Sequence, residues 1–215
     1  MKQKMRIGFG IAALALMSCG ETDDNELGAQ VLGLLFDAEQ APVSQVPTVS
    51  EADILASSGQ FIRVNIRELE RLDTMVAVGE NGPRTTWMDS ANISLTLEDG
   101  IVVATRGLRR DLMGAEVLQT WAAIRAGGGD STRQHDFMSD QDQITTSVLQ
   151  CSIALQGTED VTRFGQTRVA TKFEERCTSD GLSFVNIYWV SGQGTLLRSL
   201  QAVSPDAGYL QIDVF

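Results

Sequence analysis

The residues best placed for covalent chemistry are Leu16-Met17-Ser18-Cys19, which close a basic and apolar N-terminus. Lys2, Lys4 and Arg6 precede an apolar run from 7 to 17 interrupted only by small residues. That run is too short for a spanning helix, which needs about 20 apolar residues, and fits the roughly 7–15 of a signal-peptide core. A cysteine directly after a small residue at the end of such a core marks the site where a thiol receives diacylglycerol. The chain is then cut before Cys19 and the new amine is acylated. Two or more acyl chains, at about 0.8 kcal/mol per buried methylene, hold a protein at a membrane where a single chain is marginal. Residues 1–18 therefore read as a lipoprotein signal peptide and Cys19 as the lipid anchor. Gly20, rather than Asp, follows the cysteine, which points to the outer membrane with the protein facing the periplasm.

With Cys19 acylated, Cys151 and Cys177 remain as thiols, in a compartment where oxidation is permitted. If the strand-like runs carrying them are antiparallel neighbours joined through 157–165, the two cysteines can face each other as a disulfide. Register cannot be read from one sequence, so two buried or free thiols stay open as the alternative. A zinc site is disfavoured, because two cysteines and the single His135 do not complete the usual four-ligand set. His135 also has no flanking nucleophile motif and is read as a solvated residue of a polar loop over 130–136. Asp140 and Asp142 resemble the opening of a calcium loop, but Ile144 takes the next alternating position and the required glycine is missing. Gly127-Gly128-Gly129 lacks the Gly-Lys-Ser/Thr ending of a phosphate loop, and Gly192-Gln193-Gly194 falls in a hairpin turn. No catalytic residue, metal or cofactor is expected.

Charge narrows the partners. Residues 1–18 hold three of the 17 Lys and Arg and none of the 28 Asp and Glu, so the mature chain has 14 against 28, a formal charge of −14. Such a surface repels nucleic acid and anionic headgroups alike, which leaves the acyl chains on Cys19 as the means of membrane attachment. A hydrophobic content of 43% is that of an ordinary globular protein, and the length after Cys19 suits one domain with a substantial core.

The elements that must position these residues follow from periodicity. Residues 19–45 read as a lipidated tether plus a helix with apolar Leu27, Val31, Leu34 and Leu35, and a second short helix follows Ser50. From residue 60 the period becomes two: Ile62, Val64 and Ile66 alternate with Arg63, Asn65 and Arg67. Further strands are expected over 74–78, 85–88, 91–97, 101–105, 144–155, 168–177, 182–190, 195–203 and 209–215. Gly79–Pro83 reads as a turn, and Asp99-Gly100 as a tight hairpin turn. Residues 111–126 have helix-compatible spacing at Leu112, Val117, Leu118, Trp121 and Ile124 and read as a crossover helix or an irregular crossover, which the glycines at 127–129 would end. The expected class is mainly β: an antiparallel meander folded into a sandwich or barrel, with short N-terminal helices, and residues 46–215 as a single β-rich domain.

Trp87, Ile93-Ser94-Leu95, Asp99-Gly100-Ile101-Val102, Thr105, Gly107-Leu108 and Asp111-Leu112 form an ordered set of turn and core residues. Asn186-Ile187-Tyr188-Trp189-Val190, Gly194, Ser199, Gln201 and Ile212 form a second one. Together with the acylation motif they make the chain similar to the YjbF/GfcB family of group 4 capsule and exopolysaccharide lipoproteins. The resemblance spans nearly the whole mature chain. It implies a small, mostly β outer-membrane lipoprotein acting beside machinery that secretes or assembles a surface polysaccharide, and it carries over no catalytic residues.

Two functional classes remain at this level. In the favoured one the protein is a non-catalytic accessory factor that meets polysaccharide export proteins or glycan. Trp87, Tyr188, Trp189 and Tyr209 are then candidate aromatic contacts, and Arg109 and Arg110 a candidate anion contact; core packing and surface solvation are the competing explanations. In the rival class a lipid-anchored enzyme trims or modifies glycan, which requires two carboxylates converging in a pocket.

Overall fold

Strict alternation makes β1 (Phe61–Ile66) a strand with one wet and one dry face: Ile62, Val64 and Ile66 are fully buried while Phe61, Arg63 and Asn65 are half-exposed. The same period runs through β10 (Leu182–Val190), where Phe184, Asn186, Tyr188 and Val190 point inward. The computed structural model describes residues 61–138, 141 and 143–214. Cys19, the tether, both expected N-terminal helices, and Asp140 and Asp142 lie outside the described residues.

A short 3-10 turn (Arg67–Leu69) links β1 to β2 (Arg71–Asn81), and β3 (Arg84–Met88), β4 (Ser94–Glu98), β5 (Ile101–Arg106) and β6 (Leu112–Glu116) follow. After the helix α1 (Leu118–Arg125) come β7 (Gly128–Met138), β8 (Ile144–Arg163), β9 (Gln166–Ser179), β10, β11 (Leu196–Ser204) and β12 (Gly208–Val214). All pair antiparallel in one sheet of order β5-β4-β3-β2-β1-β12-β11-β10-β9-β8-β7-β6, in which the first and last described strands, β1 and β12, are neighbours. The sheet is nearly closed as a barrel, because its two edges, β5 and β6, are consecutive strands that meet again.

Side chains make that seam. Thr105 Oγ1 donates to Asp111 at 2.8 Å and accepts from the Leu112 amide at 3.0 Å. Asp111 also accepts from the amides of Gly107 and Leu108, and Arg106 donates to the Leu112 carbonyl. From the facing wall, Gln201 accepts from the Val102 amide at 2.9 Å and donates to the Gly100 carbonyl at 3.0 Å. Edge-strand groups that would otherwise be buried unpaired are thereby satisfied. The main apolar core fills the interior, from Ile62 and Leu95 to Tyr188 and Ile212.

Besides β7, which takes the place of the polar loop expected over 130–136, three elements depart from the sequence expectation. The expected helix over 111–126 is split: Gly114, a poor helix residue, lies in β6, and only Leu118–Arg125 is helical. Gly127 (φ 87°) ends α1, whereas Gly128 and Gly129 already belong to β7, and a Cβ on Gly128 would stand 2.8 Å from the Ile153 carbonyl oxygen. Gly157 opens no loop between two shorter strands. It marks a bulge, where the pairing shifts from Leu155 with Phe173 to Gly157 with Lys172, and the hairpin continues to a turn at Phe164-Gly165.

Cys151 and Cys177 stand directly opposite each other on β8 and β9, 4.1 Å apart at Cα, and their sulfurs are bonded. Both are buried beside Leu149 and Phe184. A cross-link over a sequence separation of 26 restricts the unfolded chain by about 3 kcal/mol. Alkylation of denatured, unreduced protein should accordingly modify neither Cys151 nor Cys177. Reduction should lower the melting temperature by roughly 10 °C, and an unchanged transition after verified reduction would contradict this account.

Candidate functional site

The residues singled out by sequence separate in space. Trp87 and Tyr188 are buried, and neither presents its ring to solvent. Trp189 lies half-buried on the outer face with the Lys172 ammonium 5.3 Å from its ring, and the Tyr209 hydroxyl accepts from the Val185 amide at 3.2 Å. Arg109 and Arg110 are exposed in the turn between β5 and β6. Arg109 offers its carbonyl to Ser204, while Arg110 pairs with Asp206 at 3.8 Å and rests over the Phe137 ring.

What the fold does bring together is a set of ionisable and amide side chains inside the barrel. Glu175 of β9 is fully buried; its Oε2 accepts from Arg133 Nη1 (2.8 Å), Asn186 Nδ2 (2.8 Å) and Tyr188 Oη (2.7 Å), and its Oε1 from Thr120 Oγ1 (2.9 Å). Asn186 in turn accepts from the Ala202 amide, so α1, β7, β9, β10 and β11 share one network. Burial opposes charge on Glu175, but the Arg133 guanidinium and the three neutral donors outweigh it and hold the carboxyl below its usual range. Arg133 is likewise held above its ordinary value, its burial being more than offset by Glu175 and Tyr188. The Tyr188 hydroxyl is pushed up by burial and then by the Glu175 charge. The set resembles a catalytic cluster in composition, yet Arg133, Glu175, Tyr188, Asn186 and Thr120 are all at most 2% exposed. Its chemistry is that of a sealed buried ion pair, in which Arg133 Nε is left without a hydrogen-bond partner among the described residues. Replacing one partner of such a pair strands the other, so Glu175→Gln should destabilise the protein by about 3–5 kcal/mol in urea titration. A loss below 1 kcal/mol would be inconsistent with a sealed network.

His135, expected in a solvated loop, sits instead in the middle of β7 with 1% of its surface exposed. The interior face of β7 reads Ser131, Arg133, His135, Phe137, and three polar residues at alternate positions disguise a strand as a loop. The imidazole stacks on Phe184 at 5.4 Å and meets the edge of Phe137 at 5.9 Å, and no protein group hydrogen-bonds to either ring nitrogen among the described residues. A cleft of about 210 Å³ lined by Glu68, Leu182, Phe184, Ser204 and Tyr209 reaches it. Gly208 (φ +64°) allows that closeness, since a Cβ there would lie 2.3 Å from Glu68 Cγ. Burial, and secondarily the Arg133 charge, lower the His135 pKa to about 3. Below pH 6.5 the unfolded chain binds a proton that the folded one refuses until about pH 3. Stability therefore falls with pH across that window, by about 1.4 kcal/mol per unit. Between pH 6.5 and 4.5 the His135→Leu variant should lose about 2–3 kcal/mol less than the parent in urea titration. Parallel pH profiles would refute this.

Among the described residues, no two carboxylates line the same one of four clefts open to solvent. Each of the four holds one: Asp99 beside Trp121 and Arg125, Glu68 beside His135, Glu80 beside Arg84, and Asp213 beside Arg198. A two-carboxylate mechanism needs a pair about 5–10 Å apart across one cleft.

Comparison with known proteins places this architecture. No curated protein sequence matches the chain. Among solved structures, the crystal structure of the hypothetical lipoprotein YmcC from Escherichia coli K12 is similar in fold. The TM-score is 0.67 at 16% sequence identity, covering 91% of this chain and 96% of that one. The family model described as group 4 capsule polysaccharide lipoprotein GfcB, YjbF matches residues 25–215, so the chain belongs to that family.

Proposed function

We propose that this protein is a non-catalytic accessory factor in capsule or exopolysaccharide secretion or assembly, anchored in the outer membrane by acyl chains on Cys19 and facing the periplasm. Residues 19–45 then serve as a lipidated tether for the β-rich domain 46–215. One observation carries the non-catalytic part: the Glu175 network is sealed inside the barrel, while four open clefts among the described residues each have a single carboxylate in their lining. Membership of a capsule polysaccharide lipoprotein family supplies the pathway context. The tether adds a physical reason for binding without turnover, because confinement near export machinery raises effective concentration and allows weak contacts to suffice.

Labelled palmitate should enter the parent protein, and equal labelling of Cys19→Ala would remove the anchor from this account. A deletion strain should secrete less polysaccharide or polysaccharide of altered composition, restored by the parent gene and only partly by Cys19→Ala. Unchanged yield and composition would argue against the pathway role. Cleavage of glycan by purified protein, abolished by a single carboxylate replacement, would argue against the non-catalytic one.

A further inference from the structure

Beyond the Gly157 bulge, the β8–β9 hairpin lies as an arm across the outer face of β11, β12 and β1. Val161 and Ala170 are buried there with Leu197, Arg198 Nη2 donates to the Thr162 carbonyl at 2.9 Å, and Arg163 donates to the Val214 carbonyl. The Arg63 guanidinium stacks 4.7 Å from the Phe164 ring at the arm's tip. Between arm and barrel wall lies a cleft of about 390 Å³ whose polar lining includes Arg63, Asn65, Arg163, Arg198, Gln211 and Asp213. Its size falls within the range of ligand clefts, about 300–1,000 Å³.

The sign of this cleft is opposite to that of the protein. The whole chain carries a formal charge of −11, yet among the described residues three guanidiniums here face one carboxylate, a local excess of two positive charges. Arg198 holds Asp213 through two contacts, Nε to Oδ1 and Nη2 to Oδ2, and so spends that carboxylate. Arg63 and Arg163 have no ion-pair partner among the described residues, and Arg163 Nε is buried without a hydrogen bond. Partial burial of Arg163, together with the nearby Arg168, disfavours its charge. An incoming anion would offset that cost and offer an acceptor to Arg163 Nε. Asn65 and Gln211 are directly opposite on β1 and β12, two half-exposed amides beside the guanidiniums, and Leu72 adds an exposed apolar rim. Forked guanidinium donors match a carboxylate, paired amides match vicinal hydroxyls, and an apolar rim matches the C–H face of a pyranose.

We propose that this cleft binds a carboxylate-bearing sugar within an acidic glycan, with Arg63 and Arg163 taking the carboxylate and Asn65 and Gln211 the adjacent hydroxyls. The assignment rests on the polysaccharide reading above and names the substrate class for it. A lipid headgroup suits the site less well, because the donors are recessed between arm and wall and the chain as a whole is acidic.

The test titrates the lipidated protein in neutral detergent with an oligogalacturonate, a neutral malto-oligosaccharide of equal length, inorganic phosphate, and vesicles containing phosphatidylglycerol. The uronate oligomer should bind and weaken with added salt, and each of the others should bind at least tenfold less tightly. Arg63→Gln and Arg163→Lys should each weaken uronate binding about tenfold at unchanged melting temperature; Arg63 is half-exposed, so its variant remains informative if Arg163→Lys folds poorly. Absence of uronate binding, equal binding of the neutral sugar, phosphate or vesicles, or full affinity in folded Arg63→Gln would overturn the proposal. A deletion strain with altered polysaccharide but a protein that ignores uronate would remove the cleft assignment and leave the accessory role standing. The reverse pattern would remove the role and leave the cleft.

Discussion

A carboxylate without access to water needs donors supplied by its own fold, and Glu175 sets that demand at the centre of this barrel. It is met from α1, β7 and β10, with Asn186 passing the network to the backbone of β11. Leaving Glu175 or Arg133 unpaired would cost several kcal/mol, more than most single apolar contacts contribute, so alternative strand pairings are penalised even where they would bury similar area. A slip of one residue in β9 would send Glu175 to the outer face and move Cys177 away from Cys151 at the same time. The buried network and the cross-link thus specify the same register by independent means.

That interior polarity also decides which parts of the fold were legible in the sequence. Where the inward face is apolar, alternation is plain: β1 shows it through Ile62, Val64 and Ile66, and β10 was expected over the range it occupies. The Asp99-Gly100 turn was equally clear, since both residues adopt positive φ there. Where the inward face is Ser131, Arg133 and His135, the binary pattern inverts its meaning, and β7 reads as a polar loop. β6 was hidden differently, by apolar residues at 112, 117 and 118 that suit a helix until Gly114 is weighed.

The chemistry of the surface was less legible still. Arg109 and Arg110 are adjacent in sequence, yet the structure engages Arg110 with Asp206 and Phe137. Arg63, Arg163 and Arg198 come from β1, β8 and β11 and meet only because β12 closes the sheet and the arm folds back. The Gly157 bulge was the available signal, since a glycine inside a long alternating strand marks a change of face. Its consequence depends on a register that one sequence does not display.

A positive cleft on an acidic protein has a kinetic meaning distinct from that of a uniformly basic surface. At physiological ionic strength, charges separated by more than about 8 Å are largely screened, so the acidic exterior does little to steer an acidic glycan in either direction from afar. Attraction begins only when a sugar carboxylate comes within reach of Arg63 and Arg163. Along an anionic polymer the proposed cleft would give contacts that are local, weak and quickly exchanged, while the net negative charge of the chain discourages the polymer from wrapping. In the proposed role, a factor that holds a polymer in transit without arresting it needs that combination, and the proposed lipid tether would supply the residence that the single contact lacks.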